Sequence, residues 1–164
     1  MKTFAKLTFL FFLTTVLSSA HAAEWSKYSN ENFGFSVDYP QGVFEFAERA
    51  ENGDGINLTN NDSSVEFRAY GFDNDDALSL TQVRDIILQD GDERKVTYKA
   101  VKKNWIVISG IEDEDGRSMI FYQRLAASPD LSKFSAFEFI YPQADKAKYD
   151  ALLKRMSLSL KAPQ

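Results

Sequence analysis

The stretch from Asn104 to Ile111, NWIVISGI, leaves this chain the fewest architectural options. It is apolar at consecutive positions, so side chains on both of its faces need cover. A strand of that kind lies inside a sheet that has material packed on each side. The segments that follow add to the demand. RSMIFYQRL (117–125) is heavily apolar, and FSAFEFIYP (134–142) is the last long strand. The run Glu112-Asp113-Glu114-Asp115-Gly116 turns the chain between the first two. Adjacent strands joined by such short turns pair antiparallel.

Upstream, the pattern is extended from Trp25 to Phe72. Phe33, Phe35, Val37 and Tyr39 fall on one side at period two, with Gly34, Ser36 and Asp38 on the other. That alternation is a half-buried strand, ended by Pro40 and a Gln41-Gly42 turn. Val43, Phe44 and Phe46 are predicted to begin a second strand, and ENGDG (51–55) is a hairpin-type turn. VEFRAYGF (65–72) sets Val65, Phe67 and Ala69 against Glu66, Arg68 and Tyr70. Two segments change period. In 78–91, Leu80, Val83, Ile86 and Ile87 share a face, with Ser79 as N-cap and Gly91 as stop. In 145–156, Tyr149, Leu152, Leu153 and Met156 face inward while Lys146, Lys148, Lys154 and Arg155 face water. Between the helices, 94–103 alternates again, with Val96, Tyr98 and Ala100 opposed to Lys95, Thr97 and Lys99. The predicted fold class is α+β, a mainly antiparallel sheet flanked by helices as an α/β/α sandwich.

The N-terminus is expected to be a secretory leader. Lys2 and Lys6 precede the apolar run Leu7–Leu17, and Ala20-His21-Ala22 forms an A-x-A cleavage site. The apolar run is about half the ~20 residues a membrane span needs. The expected division is therefore a cleaved signal peptide over 1–22 and a single domain over 23–164. Cleavage removes His21, the only histidine, and leaves 17 basic against 24 acidic groups, net −7. The chain has no cysteine, hence no lipid-attachment site. A soluble periplasmic or secreted protein is expected, with no membrane insertion after cleavage.

Missing atoms exclude most reaction chemistry. Without histidine or cysteine, the mature chain cannot build a Ser-His-Asp or Cys-His centre, nor a zinc site that needs imidazole or thiolate. No nucleophile-elbow, serine-lysine, phosphate-loop or dinucleotide-binding motif occurs. A carboxylate pair is defined by spacing in space, and 24 acids single out no pair. The acidic runs 73–76, 90–93 and 112–115 offer hard oxygen ligands for Ca²⁺. Aligning Gly116 with the loop glycine of an EF-hand places Ile111 first and Tyr122 last, where acids are required, so the motif fails. Solvated turns are the plainer reading. Lys95, Lys99 and Lys103 read as edge-strand protection ahead of an anion patch, and Trp105 as core ahead of a ligand platform. Trp25 carries the same choice. The Asn57 and Asn61 sequons carry weight only in a glycosylating host. The acidic balance disfavours nucleic acid. No catalytic, metal-ligating or cofactor-binding residue is predicted, and no binding residue can be named.

The pattern W-x2-Y-x-N-x2-FGFSVDYP (Trp25, Tyr28, Asn30, Phe33-Gly34-Phe35, Asp38-Tyr39-Pro40) resembles the opening of PsbP-like domains. That family includes the photosystem II extrinsic protein, a Ran-binding transport factor and exported bacterial proteins. NWIVISG, FEFIYP and the closing Tyr149-x2-Leu152-x3-Met156-x-Leu158-Ser159-Leu160 fit it too. Val43-Phe44 stands where such domains commonly carry a tryptophan. The resemblance implies an antiparallel sheet between helices and a non-enzymatic role in binding another protein; it transfers no catalytic residues. The alternative function is a periplasmic small-ligand or Ca²⁺-binding protein using the acidic loops. With no cysteine to oxidise, thermal unfolding is expected at the same midpoint with and without a thiol reductant. A shift between the two would contradict this.

Overall fold

The computed structural model describes residues 24–90 and 94–164. The predicted leader lies outside them, as does Gly91, the predicted stop of the first helix. The chain runs β1 (Trp25–Asn30), β2 (Phe35–Pro40), β3 (Phe46–Arg49), β4 (Gly55–Thr59), β5 (Glu66–Asp73), α1 (Leu80–Asp90), β6 (Lys95–Val101), β7 (Trp105–Glu114), β8 (Arg117–Ala127), β9 (Lys133–Pro142), a single 3₁₀ turn (Gln143–Asp145) and α2 (Lys146–Ser159). Strands β3 to β9 form one sheet in the order β3-β4-β5-β9-β8-β7-β6, and β1 pairs with β2 in a separate hairpin. Every strand pair is antiparallel.

The strand covered on both faces is β9, at the centre of the sheet. Eight consecutive residues of it are buried. Its alternate side chains enter two separate apolar clusters. Phe137, Phe139 and Tyr141 join Phe35 and Val37 of β2 and Tyr149 and Met156 of α2. Phe134, Ala136 and Ile140 join Leu80 and Val83 of α1 together with Ile106 and Ile108 of β7. β7 is buried on both faces only over Ile106–Ile108, because it lies one strand from the sheet edge.

The hairpin β1–β2 places the residues of the opening motif. Asn30 is buried, and its Oδ1 accepts the Phe33 amide at 3.0 Å. Its Nδ2 donates to Gly53 O at 2.8 Å and Asp54 O at 3.0 Å, tying the first turn to the β3–β4 turn. Phe33 itself lies in the turn, beyond the strand predicted for it. Its ring covers Gly71 of β5, where an added Cβ would stand 2.4 Å from the ring. Phe44 packs among the aromatics of this face, with ring centroids 6.3 Å from Tyr39, 6.1 Å from Phe67 and 6.3 Å from Phe139. Between β7 and β8, Asp115 (φ 52°) and Gly116 (φ 76°) make a two-residue turn whose positive φ angles match the strand twist.

Several local expectations need correction. Val43 and Phe44 precede β3, and Phe46, which opens it, is 58% exposed on an edge strand. In α1 the buried side chains are Leu80 and Val83, and Ile87 packs against them; Ile86 is rotated outward and 43% exposed. The α1 N-terminus does carry the reciprocal cap: the Gln82 amide donates to Ser79 Oγ and the Ser79 amide to Gln82 Oε1. Phe35, 3% exposed, should lose roughly 3–5 kcal/mol of unfolding free energy on Phe35→Ala. Phe46→Ala should stay within about 0.5 kcal/mol. Equal losses in chemical denaturation would mean that the hairpin does not cover the sheet as described.

Candidate functional site

The two helices leave part of the sheet open. Where α2 covers β9 and β8, a groove of about 410 Å³ remains between that helix and the edge strand β6. Its floor is Ser109 and Ile111 of β7 with Ile120 and Tyr122 of β8, and Tyr141 closes its α2 side. Both of these tyrosines are tethered to the helix. Tyr141 donates to Asp150 Oδ1 at 2.9 Å, and Tyr122 shares a 2.9 Å hydrogen bond with Ser157. Burial, followed by the bond to Asp150, pushes the Tyr141 hydroxyl well above the ordinary tyrosine range, so it stays a donor. Lys146 also pairs with Asp150.

The opposite wall is Tyr98, 56% exposed, whose hydroxyl has no hydrogen-bond partner among the described residues. A β-bulge puts it there. Val96 pairs with Gly110 and Tyr98 with Ser109, so the register shifts by one between them. Val96 therefore packs into the α1-side cluster, while Tyr98 turns to the groove. The predicted sharing of one face by Val96 and Tyr98 is thereby overturned. A one-residue register shift cannot be read from a pattern of alternating residues.

β6 is an edge strand, as expected. Lys95, Lys99, Lys102 and Lys103 are exposed, and none lies within ion-pair distance of an acid among the described residues. The start of the strand is held by Arg94. That guanidinium pairs with Glu112 of β7 at 2.6 Å and with Glu138 of β9 at 2.5 Å, and lies 4.7 Å over the Phe121 ring of β8. Glu138 is only 6% exposed; it also faces Arg68 at 3.5 Å, and Arg68 in turn grips Glu66 at 2.6 Å. Close by, Gln123 donates to the Tyr70 hydroxyl at 2.9 Å, and burial raises that hydroxyl's pKa. Sequence inspection missed this network. Its only trace was charge inside apolar strands: Glu138 in FEFIYP, with Arg68 and Glu66 in β5.

The residues singled out from sequence are scattered. Asp113 caps its own turn by accepting the Gly116 amide, and Asn74 braces the 73–76 loop through Leu78 O and Leu131 O. No group of three or more acids converges to hold a metal among the described residues. Trp105 is half-buried beneath Arg124, which sits 4.8 Å over its ring, so it is not core as predicted. The Arg124 Nε is buried without a hydrogen-bond partner among the described residues. Trp25 lies under Arg155 at 4.3 Å.

No protein-family model matches the sequence, and no curated protein does. Solved structures do match. The cyanobacterial PsbP (CyanoP) of Synechocystis aligns over 88% of this chain and 95% of its own, with 12% identity and a TM-score of 0.53. The Ran-binding protein Mog1p of Saccharomyces cerevisiae aligns over 86% of this chain and 96% of its own, with 9% identity and a TM-score of 0.57. A Bacteroides thetaiotaomicron protein shares 20% identity at a TM-score of 0.51 over 84% of this chain, which spans 48% of that longer one. The chain therefore has the PsbP-like α+β fold, as the opening motif implied. No helix among the described residues is long and apolar enough to cross a membrane.

Burial raises the pKa of Glu112 above its ordinary 4.5, outweighing the opposing pull of Arg94. A raised carboxyl binds protons more readily in the folded state, so its contribution to stability falls as pH climbs above 4.5 through the folded pKa. The unfolding free energy of the wild type minus that of Glu112→Gln should therefore decline across that window and level off above it. Urea titrations over a pH series check this, and an upward slope would reverse the assignment.

Proposed function

We propose that this protein is an exported, non-enzymatic module that binds another protein, and that the Tyr98 groove with the β6 edge is its docking surface. The single observation that carries the reading is Tyr98: a large aromatic turned outward by a bulge, its hydroxyl unbonded among the described residues, beside a sheet edge. Exposed tyrosines at the rim of an apolar depression supply contact area at low entropic cost, which is why interfaces favour them. Two further features support it. The acids gathered on the α1 face are held in ion pairs with Arg68 and Arg94, an arrangement that fits a structural role for them. Mog1p, which shares the fold, is a Ran-binding protein. The helices belong to different clusters on the sheet, in keeping with an α/β/α sandwich. The leader-like residues 1–22 support export with cleavage after Ala22.

A photo-crosslinking residue placed at position 98, in the cell-envelope fraction, should give one discrete adduct. The same residue at position 46, on the opposite sheet edge, should not. Adducts at both positions alike, or none at 98, would remove the groove from consideration. Turnover in a hydrolase screen that Tyr98→Ala leaves intact would refute the non-enzymatic reading.

A further inference from the structure

We propose that β6 accepts an eighth strand: an extended acidic segment of a partner protein, paired along Tyr98–Val101. This rests on the reading of the Tyr98 groove as a docking surface, and goes further by naming what docks. Beyond the bulge, Tyr98–Val101 is a regular four-residue run with one backbone edge unpaired among the described residues. Four residues suffice for a strand in this molecule, since β3 is held to β4 over that length.

The charge around this run selects the occupant. Lys95, Lys99, Lys102 and Lys103 lie in nine residues that contain no acid, on a chain whose net charge is −5. Like charges across a new strand pair repel, so a second copy's β6 is rejected, whereas an acidic strand is attracted. Register then dictates the pattern of that strand. Tyr98 pairs with Ser109 and Ala100 with Val107, which places both on the groove face; Lys99 pairs with Ile108, on the α1 face. The incoming strand therefore carries apolar residues opposite Tyr98 and Ala100 and an acid opposite Lys99. Main-chain hydrogen bonds supply affinity, the exposed Tyr98 ring at the groove's outer wall and Ala100 beside it meet the apolar side chains, and the lysines read the charge. The network at Arg94 keeps the edge in place by tying the start of β6 to β7 and β9.

The test is selection of a random twelve-residue peptide display library against the full protein, and in parallel against the surface variant K95Q/K99Q/K102Q/K103Q. Circular dichroism of both proteins confirms the fold. Enriched peptides should alternate apolar and acidic residues and bind the variant roughly tenfold more weakly, as loss of several exposed charge contacts predicts. Their binding should weaken as salt rises. Methylating alternate backbone nitrogens of the best peptide should abolish binding, because only strand pairing needs those N–H groups. Failure of any peptide to enrich, enrichment without excess acid, or indifference to N-methylation each overturns the inference. So does lysine-dependent self-association in sedimentation, which would make a second copy the occupant. If the crosslink at position 98 survives while these fail, the docking surface stands and the added strand falls.

Discussion

Burial of β9 on both faces is the constraint from which the rest of the structure follows. Eight consecutive buried residues at the centre of a seven-stranded sheet require cover above and below it. An antiparallel sheet with one wet face would not need that cover, and so would not need both helices. The hairpin β1–β2 and α2 supply one side; α1 supplies the other. The aromatic opening of the domain, which in isolation looks like a binding segment, is a lid for this strand. Phe35 and Val37 reach Phe137 and Phe139, and Asn30 locks the lid to the β3–β4 turn.

The one charge in that central strand shows what the lid cannot do. Glu138 is buried in the α1-side face, where an unpaired carboxylate would carry a desolvation cost of several kcal/mol. Arg94 and Arg68 neutralise it from opposite directions. Arg94 is the residue that leads into β6, so the partner of a buried acid also positions the sheet edge. Stability and the presentation of the candidate docking strand are thus coupled through a single guanidinium.

Much of this was legible in the residues. Alternation located β2 and β5 in the correct phase, because Val65, Phe67 and Ala69 are buried while Glu66, Arg68 and Tyr70 face the other way. The amphipathic pattern located α2 with Tyr149 and Met156 buried. The opening motif identified the fold, which the likeness to CyanoP and Mog1p bears out. The candidate site was not legible. Its central residue, Tyr98, was placed on the same face as Val96, since sequence alternation cannot record the extra residue of a bulge. Trp105 was read as core because it opens an apolar run, but it is only half-buried, with Arg124 over its ring.

Local chemistry in the sequence determined which segments are strands and helices, which of their faces are apolar, and that residues 24–164 carry no histidine or cysteine. Those properties depend on side-chain type and spacing alone. The order of strands in the sheet, the exposure of β6 at its edge, the outward turn of Tyr98 and the convergence of Glu66, Arg68, Arg94, Glu112 and Glu138 were decided only by tertiary structure. Each depends on pairing between separate strands, at separations that reach the 44 residues between Arg94 and Glu138. Pairing register and packing bring such residues together, and neither is a property of any local stretch.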